Sequence, residues 1–192
     1  MKSKLFIIAG HNGAGKTTFL KEFIKHEKLK YIDADEIAKN ISTDRFSLLF
    51  IKAGKIVLKR MKKFKKERLD FVIETTLSGK IWKSIIEDFK KNNYHITIFF
   101  IYLDTPEEAV KWIGVRINKE GHYVSKDVVY RRYVRSIRNF WFVYRNLANT
   151  WILINNSRDT PFLVAYGGKE NYTIIDEENL KRFLSIARKK EG

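Results

Sequence analysis

Residues Gly10-His11-Asn12-Gly13-Ala14-Gly15-Lys16-Thr17 set four residues between two glycines and follow the second with lysine and threonine. An apolar run, Leu5-Phe6-Ile7-Ile8-Ala9, leads into this stretch, and Thr17 to His26 continues from it with a helical pattern. A buried strand, a glycine-rich loop and a helix in that order make a phosphate cradle. The glycines permit torsions that turn successive N–H groups inward around an anion. The Lys16 ammonium suits the β- and γ-phosphates, the Thr17 hydroxyl suits Mg²⁺, and the helix points its positive end at the same anion. Residues Gly10 to Thr18 are therefore the expected binding site for ATP or GTP with Mg²⁺.

Outward from this loop, short apolar runs alternate with longer helical patterns. Tyr31-Ile32-Asp33 reads as a second strand, and Ser47 to Phe64 as a helix with Phe50, Ala53, Val57, Met61 and Phe64 on one face. Phe71-Val72-Ile73 is a strand ending in Glu74, Ile81 to Lys91 a helix, and Ile96 to Leu103 a long strand. Asp104-Thr105-Pro106-Glu107-Glu108 supplies a cap, a first-turn proline and two acids to start a helix. A long helix is predicted from a cap at Ser125 to about Asn149, then a strand over Trp151 to Ile154. Phe162 to Ala165 and Tyr172 to Ile175 could pair as a hairpin across Gly167-Gly168, before a last helix capped by Asp176. The alternation predicts an α/β P-loop NTPase fold of nucleoside-kinase type. It is a three-layer sandwich with a mainly parallel sheet and a helical lid, in one domain over residues 1–192.

The composition excludes several classes. Of 192 residues, 44% are hydrophobic and 14% aromatic, too many for a disordered chain. The absence of cysteine removes disulfide scaffolds, thiolate metal sites and cysteine nucleophiles. No apolar run approaches the roughly 20 residues that cross a bilayer. Expected are a cytoplasmic location and no membrane partner. The formal charge of +16 fits either anionic partners or a solvated lysine surface. Lys62-Lys63-Phe64-Lys65-Lys66 sits at a predicted helix end, where cations are favoured.

The second acidic motif narrows the chemistry. Mechanical ATPases pair the phosphate loop with an apolar strand ending in Asp or Asp-Glu, whereas here Phe71-Val72-Ile73 ends in a single Glu74. That favours a kinase. Acids at strand ends are placed for an acceptor or a cation in open α/β sheets. Tyr31-Ile32-Asp33-Ala34-Asp35 offers two such acids, of which one could take a proton from an acceptor hydroxyl, hold Mg²⁺ or cap a helix.

The stretches GHNGAGKTT (10–18), YIDADEIA (31–38), FVIETTLSG (71–79) and RINKEGHYVSKDVVYRRYVRSIRNF (116–140) occur in this order. Together they resemble the zeta-toxin family of P-loop kinases, from Leu5 to about Asn155-Asn156-Ser157. The resemblance implies phosphorylation of the sugar 3′-hydroxyl of UDP-N-acetylglucosamine. It implies that Lys16 and Thr17 hold the nucleotide phosphates and Mg²⁺, and that Asp35 is the general base with Asp33 supporting. It implies that Glu74, with Thr75 and Thr76, contacts the acceptor, and that Arg116 neutralises phosphate charge. The second family arginine has no clear counterpart, since His122 stands near its place. Arg131 is the candidate for that catalytic role, and Arg135 and His122 join the acceptor set. Toxin-type relatives are held inactive by a small helical antitoxin. Because the phosphate loop starts at Gly10, an appended inhibitory domain is not expected here; either a separate antitoxin is needed or the enzyme is not a strong toxin.

The long helix can also be read from its spacing. Tyr130, Val134, Ile137, Trp141, Tyr144 and Ala148 form an apolar face, bordered by Arg131, Arg135, Arg138 and Arg145. Arginines here could close over the phosphates as a lid or form a solvated ridge, the latter expected first for Arg138 and Arg145. Phe140-Trp141-Phe142-Tyr144 is expected in the core, with stacking on a nucleobase as the alternative, and Asn155-Asn156-Ser157 is expected near the base. Rival readings are a polynucleotide or nucleoside kinase, which the basic charge suits, and a nucleotide-switched, nucleic-acid-associated binding module.

Overall fold

The computed structural model describes residues 2–27, 29–34, 37, 41, 46–112 and 126–189, with the backbone alone at 26 and 46–50. Strand β1 (Ser3–Ala9) leads into the glycine loop and helix α1 (Lys16–Glu27), followed by β2 (Lys30–Ile32) and helix α2 (Phe46–Lys66). Next come β3 (Phe71–Thr75), α3 (Ile81–Lys91), β4 (Tyr94–Tyr102) and a helix, α4, described over 106–112. Helix α5 (Lys126–Asn139) runs on through a π-helical turn, Phe140–Tyr144, into a final α-turn, Arg145–Leu147. Strands β5 (Thr150–Asn155), β6 (Phe162–Gly167) and β7 (Tyr172–Ile174) and helix α6 (Glu177–Ala187) complete the chain.

The seven strands form one sheet in the order β2-β3-β1-β4-β5-β6-β7. The first five are parallel, and β6 and β7 add the antiparallel hairpin that the paired apolar runs predict. Because successive side chains on a strand point to opposite faces, the apolar runs bury both sides of the sheet. Leu5, Ile7 and Ala9 of β1 join a core with Phe71, Ile73, Ile98 and Phe100, covered by residues of α2, α3, α5 and α6 such as Met61, Phe89, Ile137 and Phe183. Phe6 and Ile8 face the opposite layer with Val72, Phe99 and Ile154, against Leu20, Phe19 and Phe23 of α1. This is the expected three-layer sandwich. No helix among the described residues is long and apolar enough to cross a membrane.

Two local expectations are met in detail. Asp176 caps α6, accepting the Asn179 N–H at 3.0 Å. At the start of α4, the Glu108 N–H donates to Thr105 Oγ1 (3.3 Å) while the Thr105 N–H donates to Glu108 Oε2 (3.4 Å), a reciprocal capping box.

The apolar face of the long helix is corrected only at its start: Ile137, Trp141, Tyr144 and Ala148 are buried as expected and Val134 packs against the core. Tyr130 is exposed and donates to Glu107 Oε1 (2.7 Å), whereas Val129, Tyr133 and Ile137 are buried. The cluster at 140–144 is core for Phe140, Trp141 and Tyr144, but Phe142 is half exposed. A π turn widens the helix by one residue per turn, which displaces one side chain outward.

Candidate active site

The carboxyl ends of β1, β2 and β3 meet at the glycine loop. In register, Ile8 pairs with Glu74 and Ala9 with Thr75, while Ile32 pairs with Ile73, so Asp33 and Glu74 follow side by side. Gly10 (φ +145°) runs so close to β4 that a side chain there would strike the Ile101 carbonyl. Gly15 (φ +88°) lies against the Asn156 amide in the same way. The loop therefore lies directly on the ends of β4 and β5.

Lys16 is buried within this cradle. Its ammonium donates to the His11 carbonyl (3.0 Å) and stands 3.8 Å from Glu74 Oε1. Thr17 Oγ1 lies 3.0 Å from Glu74 Oε2, to which it donates, and 3.3 Å from Oε1. A hydroxyl beside a carboxylate is a pair of hard oxygen donors, the chemistry that suits Mg²⁺. Among the described residues no three His, Asp or Glu side chains cluster for a metal. Sequence reading gave Glu74 to the acceptor; its described contacts are with Thr17 and Lys16. Thr18, one residue on, is exposed.

His11 braces the loop through its ring. It is fully buried, and Nε2 accepts the Leu103 N–H at 3.0 Å, which leaves the proton on Nδ1 to be donated to the Asn12 carbonyl (2.9 Å). Burial pushes its pKa down to about 3, aided by the Lys16 charge and opposed by the Asn12 carbonyl, so the imidazole is neutral. Its ring lies 4.6 Å from that of Tyr133 on α5. The Tyr133 hydroxyl in turn sits 2.9 and 2.8 Å from the carbonyls of Leu103 and Asp104, and burial holds its pKa well above the usual range. Asn12 itself is half-buried, and its Oδ1 has no hydrogen-bond partner among the described residues.

The turn after β5 braces the loop from the other side. Asn156 Nδ2 donates to the Ala14 carbonyl at 3.0 Å. Asn155, fully buried, donates to Asp104 Oδ1 (2.7 Å) and Asn179 Oδ1 (3.2 Å) and accepts the Ser157 N–H (2.8 Å). Ser157 Oγ accepts from the Asp104 N–H (2.7 Å) and reaches Glu108 Oε2 (3.2 Å). Asn155-Asn156-Ser157 is the turn expected near the base. The structure gives these side chains partners in the loop and its supports.

Beyond Glu74, the loop after β3 is strained and tied down. Leu77 is buried with φ +52°, a conformation that costs a non-glycine residue roughly 1–3 kcal/mol. Asn139 Nδ2 donates to the carbonyls of Leu77 (3.0 Å) and Ser78 (3.1 Å), and the Tyr144 hydroxyl donates to that of Gly79. Within the loop, Thr75 Oγ1 accepts the Leu77 N–H (3.3 Å), and the Thr76 and Ser78 hydroxyls are 2.9 Å apart. Asn139 and Tyr144 escaped sequence reading because nothing local links them to a loop some 60 residues earlier. Asp35, Arg116 and His122 lie outside the described residues.

The arginines of α5 divide. Arg131 is exposed and Arg135 half-buried. Arg138 donates to the Lys189 carbonyl at 3.1 Å. Arg145 is no solvated ridge residue: its guanidinium stacks 4.0 Å from the Trp141 ring and donates to the Trp141 carbonyl (2.7 Å), with Trp151 and Tyr172 beside it. Burial lowers its pKa from the usual arginine range.

A glycine loop that closes on Lys16 and Thr17, with Glu74 beside them on the next strand, defines a P-loop kinase. A family model of the zeta toxins matches residues 1–163. The chain belongs to the zeta toxin family. It is 29% identical over 133 residues to an uncharacterized protein of Haemophilus influenzae, covering 69% of this chain and 94% of that one. Among solved structures, a chain of the AvrRxo1-ORF1:AvrRxo1-ORF2 complex with sulphate ions superposes with a TM-score of 0.76 at 14% identity, over 100% of this chain and 66% of that one. A chain of the PezAT chromosomal toxin–antitoxin system of Streptococcus pneumoniae gives 0.68 at 20% identity, over 97% and 84%. The chain thus spans about two thirds of the length of the first of these, and at such identities the likeness is one of fold.

Proposed function

We propose that this protein transfers the γ-phosphoryl group of ATP to a hydroxyl of an anionic small molecule, with UDP-N-acetylglucosamine as the leading acceptor. The observation that carries the reading is the convergence of Lys16, Thr17 and Glu74, within 3.0 to 3.8 Å, at the mouth of the glycine loop. Lys16 binds the β- and γ-phosphates and neutralises charge that grows on them during transfer. Thr17 and Glu74 are the residues that would hold Mg²⁺, which when bound offsets phosphate charge. Family membership supports Asp35 as the base that takes the acceptor proton, and Arg116, with Arg131 or Arg135, as the cationic cover. Thr75 and Thr76, which follow Glu74, and His122 form the acceptor side. Partner proteins solved with the structural relatives support a separate antitoxin as the regulator.

An acceptor screen with purified protein, ATP and Mg²⁺, read by ³¹P NMR, tests the reading. A new phosphomonoester on UDP-N-acetylglucosamine is expected, and the absence of one across a panel of nucleotide sugars overturns that acceptor. Glu74→Gln should raise the Mg²⁺ concentration for half-maximal activity by about tenfold or more. The charge of +16 favours one second reading, a polynucleotide acceptor. Binding to RNA or DNA that falls steeply with salt, together with transfer to a 5′-hydroxyl end, would establish it.

A further inference from the structure

Three features converge on the loop after β3. Its centre is a buried leucine at positive φ, a conformation that persists only where surrounding structure over-determines it. The bonds that over-determine it come from one short stretch of α5: two from Asn139, to Leu77 and Ser78, and one from Tyr144, to Gly79. Asn139 immediately precedes the π turn and Tyr144 is its last residue, and across the turn the Arg145 N–H bonds to the Phe140 carbonyl five residues back. Residues five apart in an α-helix lie about 140° apart around the axis. Closure over five residues brings them back towards one side, so the π turn lets Asn139 and Tyr144 address one loop together.

The loop continues directly from Glu74, which touches Thr17 and Lys16, and carries the Thr75, Thr76 and Ser78 hydroxyls. We propose that Asn139 and Tyr144 are positioning residues for the acceptor: from either end of the π turn they clamp the backbone of residues 77–79 and so fix where the loop presents the acceptor to the nucleotide. This rests on the kinase reading above. Neither side chain need touch a reacting atom. Burial pushes the Tyr144 hydroxyl up to about 12, so it stays a donor at every pH where the enzyme would work. Asn139 has two amide protons and spends them on adjacent carbonyls, which suits a clamp and no titrating role.

Two variants test the clamp: Tyr144→Phe removes only the hydroxyl, and Asn139→Leu keeps the volume without the donors. Each should raise KM for UDP-N-acetylglucosamine about tenfold, with KM for ATP within twofold of wild type. Equal changes in both constants, or an unchanged acceptor KM, overturn the proposal, because a merely structural role would not single out the acceptor. Should wild type phosphorylate no nucleotide sugar, the acceptor reading fails, and hydrogen exchange decides the clamp separately. Amides of residues 76–79 should then exchange at least tenfold faster in Asn139→Leu, with residues 10–17 unchanged. Unchanged protection at 76–79 overturns the proposal.

Discussion

The glycine loop after β1 and the loop after β3 leave adjacent parallel strands in register, yet they hold their shapes by opposite means. The first takes its positive φ angles at Gly10, Gly13 and Gly15, where the absence of a side chain makes them inexpensive. The second takes one at Leu77, which has a side chain, and offsets the strain with burial and with donors from a distant helix. Bracing differs as well. The glycine loop is braced by its own His11 side chain and at one carbonyl from outside by Asn156, while the β3 loop is held at three carbonyls from outside. A loop built on glycines takes its torsions without strain from its own residues, whereas a loop built on a strained leucine depends on whatever packs against it.

The largest effect should come from the cradle itself. Lys16→Met should lower kcat/KM by about 10³-fold with the melting temperature nearly unchanged, since it removes charge stabilisation rather than packing. A loss confined to tenfold would mean that the arginines of α5 carry most of that charge. Gly15→Ala should follow, losing on the order of 1–3 kcal/mol in chemical denaturation together with most nucleotide binding. There the new methyl group meets Asn156 at a φ of +88°. A stable Gly15→Ala protein that binds ATP normally would dissolve the distinction between the two loops.

A third test uses pH. Neutral His11 has a folded pKa of about 3 against 6.5 in the unfolded chain, so the unfolded state binds the extra proton between those values. Stability is therefore complete above pH 6.5 and falls as pH drops towards 3, by about 1.4 kcal/mol per pH unit from this group. Urea denaturation at pH 4 to 6 should show that slope in wild type and not in His11→Gln, whose amide has no proton to gain. Identical slopes would show that His11 is not a buried, neutral brace. The smallest effect is expected at Arg145→Ala. Loss of its stack on Trp141 should cost about 0.5–2 kcal/mol in thermal unfolding and leave kinetics unchanged.

Much of the architecture was legible in the residues. The strand–helix alternation, the β6–β7 hairpin and the caps at Thr105 and Asp176 all rest on periodicity and local hydrogen bonding, which act within a few residues. Only the start of the α5 face differs from its spacing, since Tyr130 and Tyr133 are chemically alike and it is packing against His11 and bonding to the Leu103 and Asp104 carbonyls that buries the latter. Glu74 was legible as a strand-end acid, but not as the partner of Thr17, because that contact depends on the parallel pairing of β1 with β3.

By itself, then, the sequence determined the phosphate cradle, since Gly10, Gly15, Lys16 and Thr17 act through backbone freedom and chemistry that need only an adjoining strand and helix. Tertiary structure alone decided that Asn156 supports Ala14, that His11 is neutral, and that Asn139 and Tyr144 hold the carbonyls after Leu77. The physical reason is range. Torsional preference and helix capping are settled between neighbours in the chain, whereas desolvation and side-chain donation to a distant carbonyl exist only once the layers have packed.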